Sequence, residues 1–83
     1  MSYGIVKLYD RSRGFGFIEE GRREIFVHKS NLELEDGEWI EEGMVVSYET
    51  VAGAKGTQAI HVKIVEQEEA RKWKDAQMLV LER

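Results

Sequence analysis

Eighty-three residues with no cysteine and a net charge of −4 describe one small domain with a modest core, and exclude a disulfide framework or a thiolate metal site. No apolar run reaches the length of a membrane span, and Met1-Ser2-Tyr3-Gly4 lacks the basic and apolar regions of a signal peptide, so a soluble, cytoplasmic protein is expected. The acidic balance argues against simple nucleic-acid binding, which calls for a basic domain. Its distribution softens that objection: residues 1–32 hold six basic side chains against four acids, whereas residues 33–50 hold seven acids and no Lys or Arg.

Short alternating segments separated by glycine-containing turns make up the first 65 residues, the pattern of an all-β domain. Gly4 to Tyr9 predicts a first strand and Gly14 to Glu19 a second, with Glu20-Gly21-Arg22-Arg23 as the tight connection to a third at Glu24 to His28. A polar loop follows over Ser30 to Glu42, turning at Asp36-Gly37. Met44 to Val51 predicts the fourth strand and Gln58 to Val65 the fifth, joined by Gly53-Ala54-Lys55-Gly56. Residues 66–83 change character: good helix formers, acids first and bases later, predict a helix with an apolar stripe of Ala70, Trp73, Ala76 and Val80. Met78 to Leu81 is equally compatible with a short strand, so the end of that helix stays open.

Period-two alternation assigns the faces. Ile18, Ile25 and Val27 are the natural core partners, which turns Phe15, Phe17 and Phe26 outward together; Ile60, Val62 and Ile64 form an apolar row in the fifth strand. A soluble domain ordinarily hides its phenylalanines, and three on one solvent face call for a ligand. Unstacked nucleobases can lie on such rings whatever their sequence, at roughly 1–3 kcal/mol per base. Lys7, Arg11, Arg13 and Lys29 stand near these rings in sequence and can meet phosphates, and His28 shares the face of Phe26.

Arg13-Gly14-Phe15-Gly16-Phe17-Ile18 resembles the first ribonucleoprotein motif of the cold-shock domain family, and Ile25-Phe26-Val27-His28 resembles the second. Gly4-Ile5-Val6-Lys7 is similar to the family's opening strand and Gly53-Ala54-Lys55-Gly56 to its late turn, so the likeness spans about residues 3–65 in order. The resemblance implies a five-stranded antiparallel OB-type barrel over residues 1–65 and single-stranded RNA or DNA as ligand. It further implies an RNA-chaperone or antitermination-like role, with binding roles for Lys7, Tyr9, Phe15, Phe17, Phe26 and His28. The chain departs from the family pattern at Leu8 and Tyr9, where Trp and Phe are usual, and at Lys29, where an aromatic is usual. Lys29 offers a phosphate contact in place of the ring, and Trp39 is the candidate loop aromatic. The extension beyond Val65 exceeds a minimal member.

Several residues also carry a plainer reading. Leu8 belongs inside by alternation and outside by resemblance. Trp39 divides between loop packing and stacking, while Tyr48, beside Val46, fits the core. Lys55 lacks the spacing of a phosphate-cradling loop, the acids of 33–42 lack that of a calcium loop, and His28 with His61 make no metal site. No nucleophile–base pair or cofactor fingerprint is present, so a non-enzyme with no cofactor is expected. The leading reading is a sequence-tolerant single-strand binder using Lys7, Tyr9, Arg13, Phe15, Phe17, Phe26, His28, Lys29 and Trp39. The alternative is an assembly module in which residues 66–83 serve as a candidate homodimer or docking contact and nucleic-acid affinity is weak.

Overall fold

The computed structural model describes residues 1–54 and 56–81, with side chains omitted at position 67 and from 77 onward. Five strands form: β1 (Ser2–Asp10), β2 (Phe15–Glu20), β3 (Arg23–His28), β4 (Val45–Gly53) and β5 (Gly56–Ile64). A 3-10 turn, Lys29–Asn31, leads out of β3, and a helix, α1 (Gln67–Leu81), follows β5. The strands close into a barrel in the order β1-β2-β3-β5-β4. Four of its pairings are antiparallel; β3 and β5 run parallel, with Phe26 opposite Gln58 and Val27 opposite Ala59. This is the expected five-stranded OB-type architecture, with one parallel seam in place of an all-antiparallel sheet.

The core is the inward row of each strand. Val6, Ile18, Ile25, Val27, Ile40, Val46, Tyr48, Ala59 and Val62 pack together in the barrel interior. Ile18, Ile25 and Val27 are each 0% exposed, as their alternation requires. Tyr48 keeps its ring in this core and donates its hydroxyl proton to Glu20 Oε1 at 2.7 Å. Burial and that carboxylate push the phenol far above its ordinary range.

Two bulges correct the simple alternation. In β1 the register against β2 shifts between Val6 and Leu8, leaving Lys7 as an extra residue. Val6 is therefore inside, Leu8 outside at 52% exposure, and Tyr9 turns back toward the core. In β5 the pairs Ser47–Lys63 and Glu49–Ile60 leave His61 and Val62 opposite Tyr48 alone, with His61 in the left-handed region at φ 52°. The buried row is accordingly Ala59, Val62 and the partly buried Ile64, and the Ile60 of the sequence expectation is displaced from it. Such extra residues bend and twist a strand, which helps a short sheet close on itself.

Residues 67–81 are helical throughout, so Met78 to Leu81 is helix and not strand. The expectations for Lys55, Glu82 and Arg83 lie outside the described residues. Glu68 and Glu69 occupy the first helical turn, where the helix dipole favours acids. Tyr3 donates to Glu69 at 2.7 Å and ties that turn to β1. Ala70 and Trp73 of the apolar stripe are half-buried, Ala76 is exposed, and the Val80 side chain lies outside the described residues.

Candidate nucleic-acid interface

The outward positions of β1, β2 and β3 line up in rows. Leu8 stands opposite Phe17, and Phe17 opposite Phe26. In the next row Asp10 stands opposite Phe15, and Phe15 opposite His28. Rows along one face repeat about every 6.6–6.8 Å, so the three phenylalanines form one platform. Phe17 and Phe26 meet edge to face with centroids 6.0 Å apart, and Phe15 and Phe26 lie 5.9 Å apart at a 31° tilt. All three rings are half-buried, so each keeps part of its surface open to solvent. Leu8 adds an apolar flank on the β1 side, and a hollow of about 240 Å³ lined by Phe26, Ala54, Gly56 and Gln58 continues the surface toward β5.

Glycine spacing makes this face possible. A Cβ on Gly16 would collide with the Leu8 carbonyl oxygen of β1, so only glycine lets the two strands approach at the bulge. Gly14 takes φ 76° and receives the backbone N–H of Lys29 on its carbonyl at 2.8 Å. The aliphatic stem of Lys29 lies directly over it, with Cδ 2.7 Å from where a Cβ would be.

The polar members of the face are oriented rather than loose. Ser30 donates its backbone N–H to His28 Nδ1 at 3.2 Å, and its hydroxyl lies 2.9 Å from the same nitrogen. A neutral His28 ring therefore carries its proton on Nε2, a donor suited to a base carbonyl. Lys7 is exposed and reaches Glu24 at 3.4 Å and Glu19 at 3.7 Å. Arg13 is exposed and pairs with Asp10 at 3.7 Å. Exposed pairs of this kind are worth about 0–1 kcal/mol, so a phosphate can compete for either cation. Asp10 accepts from the Ser12 hydroxyl and from the backbone N–H groups of Ser12 and Arg13, which organises the β1–β2 turn. Those hydrogen bonds, the Ser12 hydroxyl first, hold its carboxyl below the usual range.

The nine expected residues do not share one surface. Phe15, Phe17, Phe26 and His28 fall on the outward rows. Lys7 is the exposed bulge residue beside them, reaching Glu19 and Glu24, and Arg13 and Lys29 flank Phe15 and His28 in the chain. Tyr9 is turned inward by the bulge: it packs on the core, and its hydroxyl is buried with no hydrogen-bond partner among the described residues. Burial raises that phenol above its ordinary range. Trp39 meets Tyr9 edge-on, 5.7 Å between centroids at 73°, and carries Arg11 over its ring at 4.4 Å. Leu8, left open by the sequence, joins the platform. The sequence marks Arg11 only as a nearby cation, and nothing in its spacing announces the contact with Trp39.

The chain matches a known family: the model of the 'Cold-shock' DNA-binding domain covers residues 2–65. The chain belongs to the cold-shock domain family. It is 48% identical over 65 residues to a cold shock-like protein of Thermotoga maritima, covering 76% of this chain and 97% of that one. It is 44% identical over 63 residues to cold shock protein CspA of Staphylococcus saprophyticus, covering 75% and 96%. Among solved structures it resembles drosophila Unr CSD456 with a TM-score of 0.63 at 22% identity, over 78% of this chain and 26% of that one. That last likeness concerns the fold alone. The family is one of nucleic-acid-binding domains rather than enzymes. Among the described residues no helix is long and apolar enough to cross a membrane, and no group of His, Asp and Glu side chains is placed to hold a metal ion.

Proposed function

We propose that the chain binds single-stranded RNA or DNA with little sequence preference and keeps it unstructured, as a non-catalytic RNA chaperone or regulator of gene expression in the cytoplasm. The observation that carries this reading is the pairing of opposites along β2 and β3. Ile18, Ile25 and Val27 are fully buried, and the phenylalanines beside them stand on the opposite side of the sheet, half-open to water. Bases leave their own stacking for Phe15, Phe17 and Phe26, His28 donates to a base edge, and Lys7, Arg13 and Lys29 meet the backbone. About three phosphate contacts give a log–log salt slope of roughly −2 on single strands. Titration of a labelled oligothymidine at several salt concentrations tests this; affinity that ignores salt and survives loss of the rings rules it out.

A second reading rests on α1. The helix leaves Trp73 half-buried and Ala76 exposed on its apolar stripe, a surface suited to a second copy of the chain. In that reading residues 66–83 are an extension appended to a barrel of residues 1–65, used to dimerise or to dock. Light scattering on the full chain and a Trp73→Ala variant tests the homodimer: a dimer lost with the indole supports it, and a monomer in both excludes it. The two roles are compatible, since pairing two binding faces raises avidity.

A further inference from the structure

We propose that Arg11 and Trp39 form a two-jawed subsite that takes one further base of the bound strand, stacked between guanidinium and indole. The proposal rests on the single-strand reading above and extends it beyond the phenylalanine platform. Asp10 stands opposite Phe15, so Arg11 follows directly on the row of Asp10, Phe15 and His28. A strand that passes over Phe17 and Phe26, then Phe15 and His28, next meets the turn that carries Arg11.

The two jaws differ in firmness. Trp39 is held from within: Tyr9 meets it edge-on, and Tyr9 is itself wedged against the core with its hydroxyl buried. Over the ring lies the exposed side chain of Arg11, Cζ 4.4 Å from the centroid. Arg11 is also uncommitted. Lys7, Arg13 and Arg23 each face a carboxylate, whereas Arg11 pairs with none among the described residues.

A guanidinium is planar and stacks on a ring while keeping its in-plane donors free. A nucleobase stacks equally on an indole and on a guanidinium. An exposed cation–π contact is weaker than base–ring stacking, so an incoming base lifts Arg11 from Trp39 and takes its place. The guanidinium then covers the outer face of the base. Lysine, a point charge without a plane, cannot serve as that jaw.

The test is an anisotropy titration of labelled oligothymidines of increasing length against the parent chain, Arg11→Ala, Arg11→Lys, Trp39→Ala and the Arg11→Ala/Trp39→Ala double variant. Both Arg11 variants are expected to weaken binding by about 2- to 5-fold. Trp39→Ala is expected to weaken it by about 5- to 150-fold, after which Arg11→Ala adds no further loss. All these effects vanish on oligonucleotides too short to reach past Phe15. Arg11→Lys matching the parent, while Arg11→Ala flattens the salt slope by about 0.7, makes Arg11 a plain phosphate contact and overturns the subsite. Tighter binding by Arg11→Ala makes it an obstructing lid and overturns it too. Arg11→Lys alters only an exposed side chain and keeps its charge, so it carries the test even where Trp39→Ala unsettles the loop. If Phe17→Ala weakens binding and every Arg11 variant matches the parent, this subsite fails alone; if neither matters, the single-strand reading fails.

Discussion

Phe17 and Ile18 are adjacent in sequence and opposite in consequence. Phe17 stands at the centre of the outward row, between Leu8 on β1 and Phe26 on β3. Phe17→Ala removes a ring on which one base stacks, about 1–3 kcal/mol, or roughly 5- to 150-fold in affinity. Its effect on folding is smaller than that of a core truncation, because the ring is only half-buried. The fold gives up that partial burial and the edge-to-face pairing with Phe26 at 6.0 Å, the pairing itself worth about 0.5–1.5 kcal/mol. Ile18 is 0% exposed and has no access to a ligand. Ile18→Val costs about 0.5–1.5 kcal/mol of stability, and Ile18→Ala about 2–5 kcal/mol. Urea melts and oligothymidine titrations on the three variants read both quantities in one buffer. The expected pattern is a large binding loss with modest destabilisation for Phe17→Ala, and intact affinity with lower stability for Ile18→Val. A Phe17→Ala protein that melts early yet binds as tightly as the parent refutes the orientation of the strand.

Leu8→Trp restores a flat ring beside Phe17 and is expected to tighten oligonucleotide binding by about 5-fold or more, read by the same titration; unchanged affinity places Leu8 off the ligand's path. Gly16→Ala drives a Cβ into the Leu8 carbonyl and is expected to lower the urea midpoint, whereas Gly21→Ala, with open space but φ 62°, is expected to cost only the left-handed strain of about 1–2 kcal/mol. Because the folded Asp10 carboxyl lies below its ordinary value, its stabilising contribution is complete above an unfolded pKa of about 3.9 and is lost as pH falls through the lower folded value. The amide resonances of Ser12 and Arg13 are therefore expected to move in that acidic window, and Asp10→Asn to abolish the movement.

Strand count, strand order in sequence and the outward phenylalanines were legible because glycine-bounded alternation is a local signal with a two-residue period. What sequence could not supply was the phase after an inserted residue. The bulge at Lys7 sends Leu8 out and Tyr9 in, so a rule of strict alternation fails for both. The left-handed His61 does the same to β5, exchanging Ile60 for Ala59 in the core. The parallel β3–β5 seam depends on how the long acidic loop returns the chain, a non-local outcome without a sequence period. Arg11 over Trp39 joins residues that are distant in the chain, and a cation next to an aromatic in space leaves no mark on either neighbour's spacing.

The most direct measurement is a two-dimensional NMR titration of the full chain with an oligothymidine. Perturbations concentrated at Phe15, Phe17, Phe26, His28 and the Leu8 edge, growing with added ligand and shrinking with added salt, are the result expected. Perturbations confined to β4 and α1, with the rings of β2 and β3 unmoved, contradict it.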